Sequence, residues 1–358
     1  MVPDQIKRTS EAVQEWLQPE NRQLQDAIER TVDEGLFSFE DIKHQIRSLR
    51  RQITTEALQR WMGKVPQVRD PIEPLKTLCL HAGNLPLVGS QDIIACSLAR
   101  VKYIGKLSRK DPYILATLID KLIIHKALID PFVTTDLDEL KGFNPDQVLF
   151  SGGKASIKPI RDRLQSYGMR LDNSRFLART AHYSIAYVES SGEEAMIQLT
   201  ESIFRYGGKG CRSVAVLITP FLFQETICSF TDYVETFWLK NPQHEKPPAS
   251  LYHRYAYNRA VGINQSWLDH FLIEETRMKP EQPFILHWIQ GSQNTVEEFV
   301  NDYREGLQSI YCYSDEHILP KTIGGKSTEP LHQAQDPPID WKPDDVDTLE
   351  WLLQPLNA

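Results

Sequence analysis

The chain has 358 residues, 41% of them hydrophobic and 25% charged, with a formal net charge of −8. Those values fit a globular protein of two packed domains, or of one large domain with an insertion, and leave no basic stripe for nucleic acid. No apolar run approaches the ~20 residues of a membrane helix, and Met1 to Leu17 lack the apolar core and cleavage site of a secretory signal.

In chain order, residues 1–70 read as helices with polar surfaces, with Leu24, Ala27, Ile28 and Val32 at helical spacing and Pro66 and Pro71 at the exit. Leu75 to His81 is a short apolar strand, Ala82 to Pro86 a turn, and Val88 to Ala99 an apolar helix. Val101 to Leu107 is a second strand, followed by a helix from about Asp111 to His125. Gln147 to Ser151 is another strand, ending in Gly152-Gly153, with a helix from about Ala155 to Tyr167 behind it. This alternation predicts a parallel sheet covered on both faces. The pattern restarts with a strand at Tyr183 to Val188 and an amphipathic helix from Glu193 to Tyr206. A glycine-rich turn, Gly207 to Cys211, and a strand, Ser213 to Ile218, follow. Asn241 to Pro248 reads as a surface loop. Ile318 to Pro343 is rich in Pro, Gly and Gln and reads as loop, and Asp345 to Leu353 as a short helix.

The five cysteines are widely spaced and contain no C-x-x-C, which argues against a disulfide framework or zinc site and fits a reducing, cytoplasmic setting. Cys79, Cys96, Cys228 and Cys312 have apolar neighbours and read as small buried hydrophobes. Cys211 stands in Gly-Gly-Lys-Gly-Cys-Arg-Ser. The glycines permit a tight turn and close approach, and Lys209 and Arg212 favour the thiolate, the form that attacks a carbonyl. The competing reading is a glycine turn that happens to hold a cysteine. Such chemistry needs a donor for the developing oxyanion. Asn84, at the end of a strand, offers a side-chain amide, although an Asn before Pro86 also reads as a helix cap. No G-x-G-x-x-G is present. Two strand ends could serve phosphates instead: Lys106 and Lys110 flanking Ser108, and Ser151-Gly152-Gly153 before a helix N-terminus.

Taken in order, four blocks resemble the aldehyde dehydrogenase superfamily, and within it the acyl-CoA reductases related to the fatty-acid reductase of bacterial luminescence. They are His81 to Gly89, Gly105 to Pro112, Phe204 to Ser213, and Pro330 to Gln335 with Asp345 to Leu349. The resemblance implies an α/β fold of two three-layer α/β/α domains with a mostly helical N-terminal segment. It divides the chain into a helical segment (1–70) packing on a cofactor domain (71–182), a catalytic domain (183–330), and a C-terminal loop and helix (331–358). Cys211 would be the nucleophile and Asn84 the oxyanion donor. Lys106 would bind the adenosine ribose with Ser108 nearby, and Ser151, Gly152 and Gly153 would pass the pyrophosphate. His332 and Gln333 would line the acyl site.

One departure sharpens the expectation. Hydrolytic aldehyde dehydrogenases carry a glutamate base, yet no acidic residue lies between Asp172 and Glu189 here. Water is then poorly activated, which favours reduction of thioesters. The expected activity is reduction of an acyl-CoA or acyl-carrier thioester to an aldehyde through an acyl group on Cys211. NADPH is preferred because Lys106, Arg109 and Lys110 could hold a 2′-phosphate. A homo-oligomer and an acyltransferase or acyl-activating partner protein are expected, with no nucleic acid and no membrane span. The rival readings are a cysteine acyltransferase or thioesterase without nicotinamide, and a weakened homologue that binds acyl groups beside a partner enzyme.

Overall fold

The computed structural model describes residues 2–66, 73–171, 175–242, 247–268, 270–313 and 319–354. Pro71, Asp172, Ile318 and residues 243–246 of the expected Asn241 to Pro248 loop lie outside them. The chain forms two units, Met1–Thr180 with Pro338–Ala358, and Ala181–Pro337.

The first unit opens with helices α1 (Val2–Trp16), α2 (Arg22–Asp33), α3 (Phe39–Gln52) and α4 (Thr55–Lys64). Asn21, Ser38 and Thr54 cap the last three, their side chains accepting from Leu24, Asp41 and Ala57 N–H. Polar side chains tie the helices down at buried points. Gln5 Nε2 donates to Ser97 O and Ala127 O at 2.7 Å each, and Trp16 Nε1 to Thr117 Oγ1 at 2.8 Å. Trp16 and Trp61 are fully buried in one core with the apolar residues of the following α/β layer.

That layer is a parallel sheet of β1 (Lys76–Leu80), β2 (Lys102–Lys106), β3 (Ile129–Thr134), β4 (Gln147–Ser151) and β5 (Arg175–Arg179), in the order β3-β2-β1-β4-β5. Helices α5 (Ser90–Ala99), α6 (Ile114–Ile124) and α7 (Ile157–Ser166) cover it. In α5 every residue from Ser90 to Leu98 except Gln91 is buried, as its near-continuous apolar texture predicts. β3 has no counterpart in the sequence reading. It contains Pro131 and lies at the sheet edge, where a missing N–H is tolerated.

The second unit carries a mixed sheet of β6 (Tyr183–Val188), β7 (Val214–Thr219), β8 (Gln265–Leu268), β9 (Phe271–Glu275), β10 (Ile285–Gln290), β11 (Leu307–Tyr313), β12 (Thr322–Ile323) and β13 (Lys326–Pro330). Their order is β12-β13-β11-β6-β7-β10-β9-β8. Its helices are α8 (Glu193–Phe204), α9 (Phe223–Lys240), α10 (Ala249–Val261) and α11 (Gln293–Tyr303). The chain then returns to the first unit as α12 (Thr348–Leu353). Asp347 caps it through Leu349 and Glu350 N–H and also accepts from Trp61 Nε1 at 3.0 Å.

Two expectations are corrected here. Ile318 to Pro343 is not all loop, since β12 and β13 form a hairpin across Gly324-Gly325. Both glycines have positive φ (56° and 78°), as a two-residue hairpin turn requires. Cys228 is exposed rather than buried, and Cys312 is half-buried. The buried stripe of α9 is Phe223, Phe230 and Val234; Cys228, five residues after Phe223, falls on the opposite face. No helix among the described residues is long and apolar enough to cross a membrane. The fold thus has the expected two α/β units with a helical N-terminal segment.

Candidate functional site

In the first unit, the strand order reverses between β1 and β4, the point where open parallel sheets bind ligands beyond their strand ends. A cleft of about 340 Å³ lies there, lined by Leu80 and His81 at the end of β1, Lys106 and Arg109 at and beyond the end of β2, Asp136 after β3, and Phe150 and Ser151 of β4. Tyr167 and Arg163 close one side. Arg163 donates to Asp138 at 2.9 Å, and Tyr167 also bonds Asp138. Lys106 is half-buried at the end of β2. Burial lowers its pKa, the neighbouring Arg109 lowers it further, and Asp136 opposes both. A lysine held this way favours an anionic neighbour. His81 is buried, which pushes its pKa down to about 4, and its Nε2 shares a hydrogen bond with Tyr103 Oη at 2.8 Å.

Of the residues expected to hold a dinucleotide, Lys106 and Ser151 line this cleft. Gly152 and Gly153 continue from Ser151 into a 3-10 turn, Lys154–Ser156, that leads into α7. A Cβ at Gly152 would lie 2.6 Å from the Phe150 ring, so only glycine lets the backbone turn over it. Ser108 is placed elsewhere, against Gly83, where an added Cβ would come within 2.2 Å of its Oγ. Ser108 thereby braces the Asn84 turn. In that turn Asn84 is exposed and Leu87 takes a left-handed φ of 59°. The Asp111 carboxylate holds Leu87, accepting its N–H at 2.7 Å. Asp111 is 1% exposed, and burial raises its pKa to about 7 although it accepts backbone hydrogen bonds.

In the second unit, α8 ends at Phe204, and Tyr206 and Gly207 take positive φ to reverse the chain. Gly208 also has positive φ, and a Cβ there would meet Phe271 and the Ile203 carbonyl. Cys211 follows, half-buried, just before the N-terminal end of β7. Its turn is tied on several sides. Ser184 Oγ donates to Cys211 O at 2.9 Å, Gly210 N–H to Ser213 Oγ at 3.2 Å, and Ser213 N–H to Gly210 O at 2.9 Å. Gln335 Nε2 donates to Ser202 O at 3.1 Å and Ser213 Oγ at 3.4 Å. Lys209 Nζ lies 5.5 Å from the centre of the Phe284 ring, a cation–π contact.

His332 and Gln333 occupy the 3-10 turn Leu331–Gln333, with His332 exposed. The residue of that block that bonds the cysteine turn is Gln335, 3% exposed. Sequence reasoning missed its role, as it missed Ser184 and, in the cleft, Asp136 and Arg163. Only Gln335 carried a signal, as a polar residue inside a recognised block.

Solved structures of aldehyde dehydrogenases superpose on this chain. Indole-3-acetaldehyde dehydrogenase, solved with NAD+, matches with a TM-score of 0.60 at 14% identity over 87% of this chain and 72% of that one. The aldehyde dehydrogenase KauB from Pseudomonas aeruginosa gives 0.60 at 14% identity, over 88% and 73%. Proline utilization A from Corynebacterium freiburgense gives 0.60 at 12% identity, over 88% of this chain and 35% of that longer protein. No protein-family sequence profile matches the chain, and no curated protein matches it by sequence. At these identities the likeness establishes an aldehyde-dehydrogenase-like fold.

Proposed function

We propose that this protein is a nicotinamide-dependent acyl-thioester reductase that carries its acyl group on Cys211. The observation that carries the reading is the cysteine turn. A half-buried thiol sits in a glycine reversal pinned by Ser184, Ser213 and Gln335, within an aldehyde-dehydrogenase-like fold. Such pinning holds a nucleophile in one attack geometry.

Cys211 would attack the thioester carbonyl of an acyl-CoA or acyl-carrier donor and expel the donor's thiolate. The Asn84 amide would donate to the oxyanion in this step and in the reduction that follows. The stretch matching the general-base block supports reduction over hydrolysis. β5 ends there in Arg179, which is ion-paired with the buried Asp92 and bonded to Thr348 Oγ1. That stretch supplies no carboxylate to activate water.

The first unit's cleft fits the adenosine phosphate end of a dinucleotide in volume, position and donors. Lys106 and Arg109 would hold the ribose phosphate, with Ser151, Gly152 and Gly153 beside the pyrophosphate. NADPH bound there would supply the hydride that the acyl group accepts. We assign NADPH over NADH because Lys106 and Arg109 together favour a 2′-phosphate. Asp136 is the opposing charge, and Asp138 is engaged by Arg163.

The test is incubation with a panel of acyl-CoAs, with and without NADPH, followed by intact mass and aldehyde analysis. An adduct that NADPH discharges as aldehyde is expected. An adduct that persists with NADPH would mark an acyltransferase instead, and no adduct would sink both readings.

A further inference from the structure

Among the described residues, Tyr311 Oη is the one buried side-chain hydroxyl that makes no hydrogen bond of ordinary geometry. The residue is 0% exposed. Tyr311 lies on β11, opposite Ala186 of β6 and Glu329 of β13. Two residues before it, Ser309 points to the same face. Ser309 Oγ donates to Glu329 Oε1 at 3.1 Å, and its N–H donates to Ser184 Oγ at 3.2 Å. Ser184 in turn bonds Cys211 O. The phenol therefore belongs to the face of the sheet on which the cysteine turn is pinned.

Three charged or ionisable groups act on Tyr311: Glu329 from β13, and Arg212 and Cys211 from the turn. Burial first, then Glu329, push its pKa far up, so the hydroxyl stays protonated through the physiological range. The Ser309 hydroxyl on the same face, itself donating to Glu329, is a polar neighbour and acts against that rise; the phenol O–H makes no hydrogen bond of ordinary length and angle and lies within electrostatic reach of a cysteine. Leaving a buried donor unmatched is destabilising, and a bond to an anion recovers that loss.

Resting on the Cys211 reading above, we propose that the Tyr311 hydroxyl is the hydrogen-bond donor to the Cys211 thiolate, both as nucleophile and as leaving group. In the attack, the sulfur lone pair forms the S–C bond, the carbonyl π pair moves to oxygen and returns as the donor's C–S bond breaks and its thiolate leaves, and the Tyr311 hydrogen bond is released. In the collapse of the thiohemiacetal, the oxyanion electron pair re-forms the carbonyl and the S–C bond breaks. Its electron pair returns to sulfur, and Tyr311 again donates to it. Tyr311 keeps its own proton throughout.

The test is the pH profile of iodoacetamide alkylation, read by mass on the Cys211-containing peptide so that exposed Cys228 does not interfere. Tyr311→Phe keeps the ring and removes only an unmatched polar atom, so the variant folds with an unchanged or higher Tm. Its alkylation inflection is expected to rise by about one pH unit, with a rate near neutral pH about 10-fold lower. Superimposable profiles for the variant and the wild type would overturn the proposal. Because alkylation involves neither acyl donor nor cofactor, a failed reductase assay would leave this result standing. An unshifted profile in an active reductase would remove the tyrosine alone.

Discussion

The two units place their candidate chemistry at opposite ends of parallel strands. In the first, the cleft opens beyond the carboxyl ends of β1, β2 and β4, where the topology leaves a crevice. In the second, Cys211 precedes the amino end of β7. A crevice suits a large anionic ligand, because cationic side chains can ring it while remaining partly hydrated. A thiol that must meet one carbonyl carbon needs a fixed backbone, and the second unit uses buried Ser and Gln side chains to fix it.

Each unit also buries a carboxylate, with opposite electrostatic outcomes. Glu274 is fully buried, and burial alone would raise its pKa. Arg254 at 2.6 and 2.8 Å, His287 and Asn258 more than reverse that and hold it well below the usual range. Among the described residues Asp111 is met by backbone N–H groups and by no cation, and burial raises its pKa to about 7. The comparison shows that burial alone does not decide ionisation; the charge of the partners does.

The largest expected effect tests the cysteine turn. Cys211→Ala should lower aldehyde formation on the order of 1000-fold or more and abolish the acyl adduct by intact mass, while Cys228→Ala changes neither. Wild-type aldehyde output from Cys211→Ala would end the proposed mechanism. Next comes the pair of carboxylates. Glu274→Ala strands Arg254 and His287 and should cost about 3–5 kcal/mol in denaturant unfolding. A loss below about 1 kcal/mol would mean the ion pair is not a structural anchor.

Asp111 should make stability fall as pH rises. Its folded pKa exceeds the unfolded value of 3.8, so its contribution is fully present below 3.8 and is lost as pH climbs through about 7. Wild-type stability should drop by on the order of 4 kcal/mol across that window, and Asp111→Asn should flatten the dependence. A parallel pH curve for the variant would show that another group titrates. Asn84→Ala is expected to lower kcat about 100-fold with little change in the NADPH KM. The smallest effect belongs to the cleft. Lys106→Gln should raise the KM for NADPH about 10-fold, and by less for NADH, if its charge meets the 2′-phosphate. Equal effects on the two cofactors would assign Lys106 to the ribose hydroxyls.

The sequence by itself determined the parts that depend on local pattern. Strand and helix alternation placed β1, β2, β4, β6 and β7, and the glycine run marked the turn that carries Cys211, because periodicity and positive-φ demand are local properties. The order of the four blocks around Cys211 carried the expectation of an aldehyde-dehydrogenase-like fold, which the superposition bears out. What the tertiary structure alone decided is which distant residues meet. Ser108 against Gly83 and Asp111 under Leu87 share no sequence signal, and Gln335 had only its place in a recognised block, because a contact between distant residues needs only a matching atom at the right place. The same holds for β3, whose place at the sheet edge, where Pro131 is tolerated, only the sheet order shows.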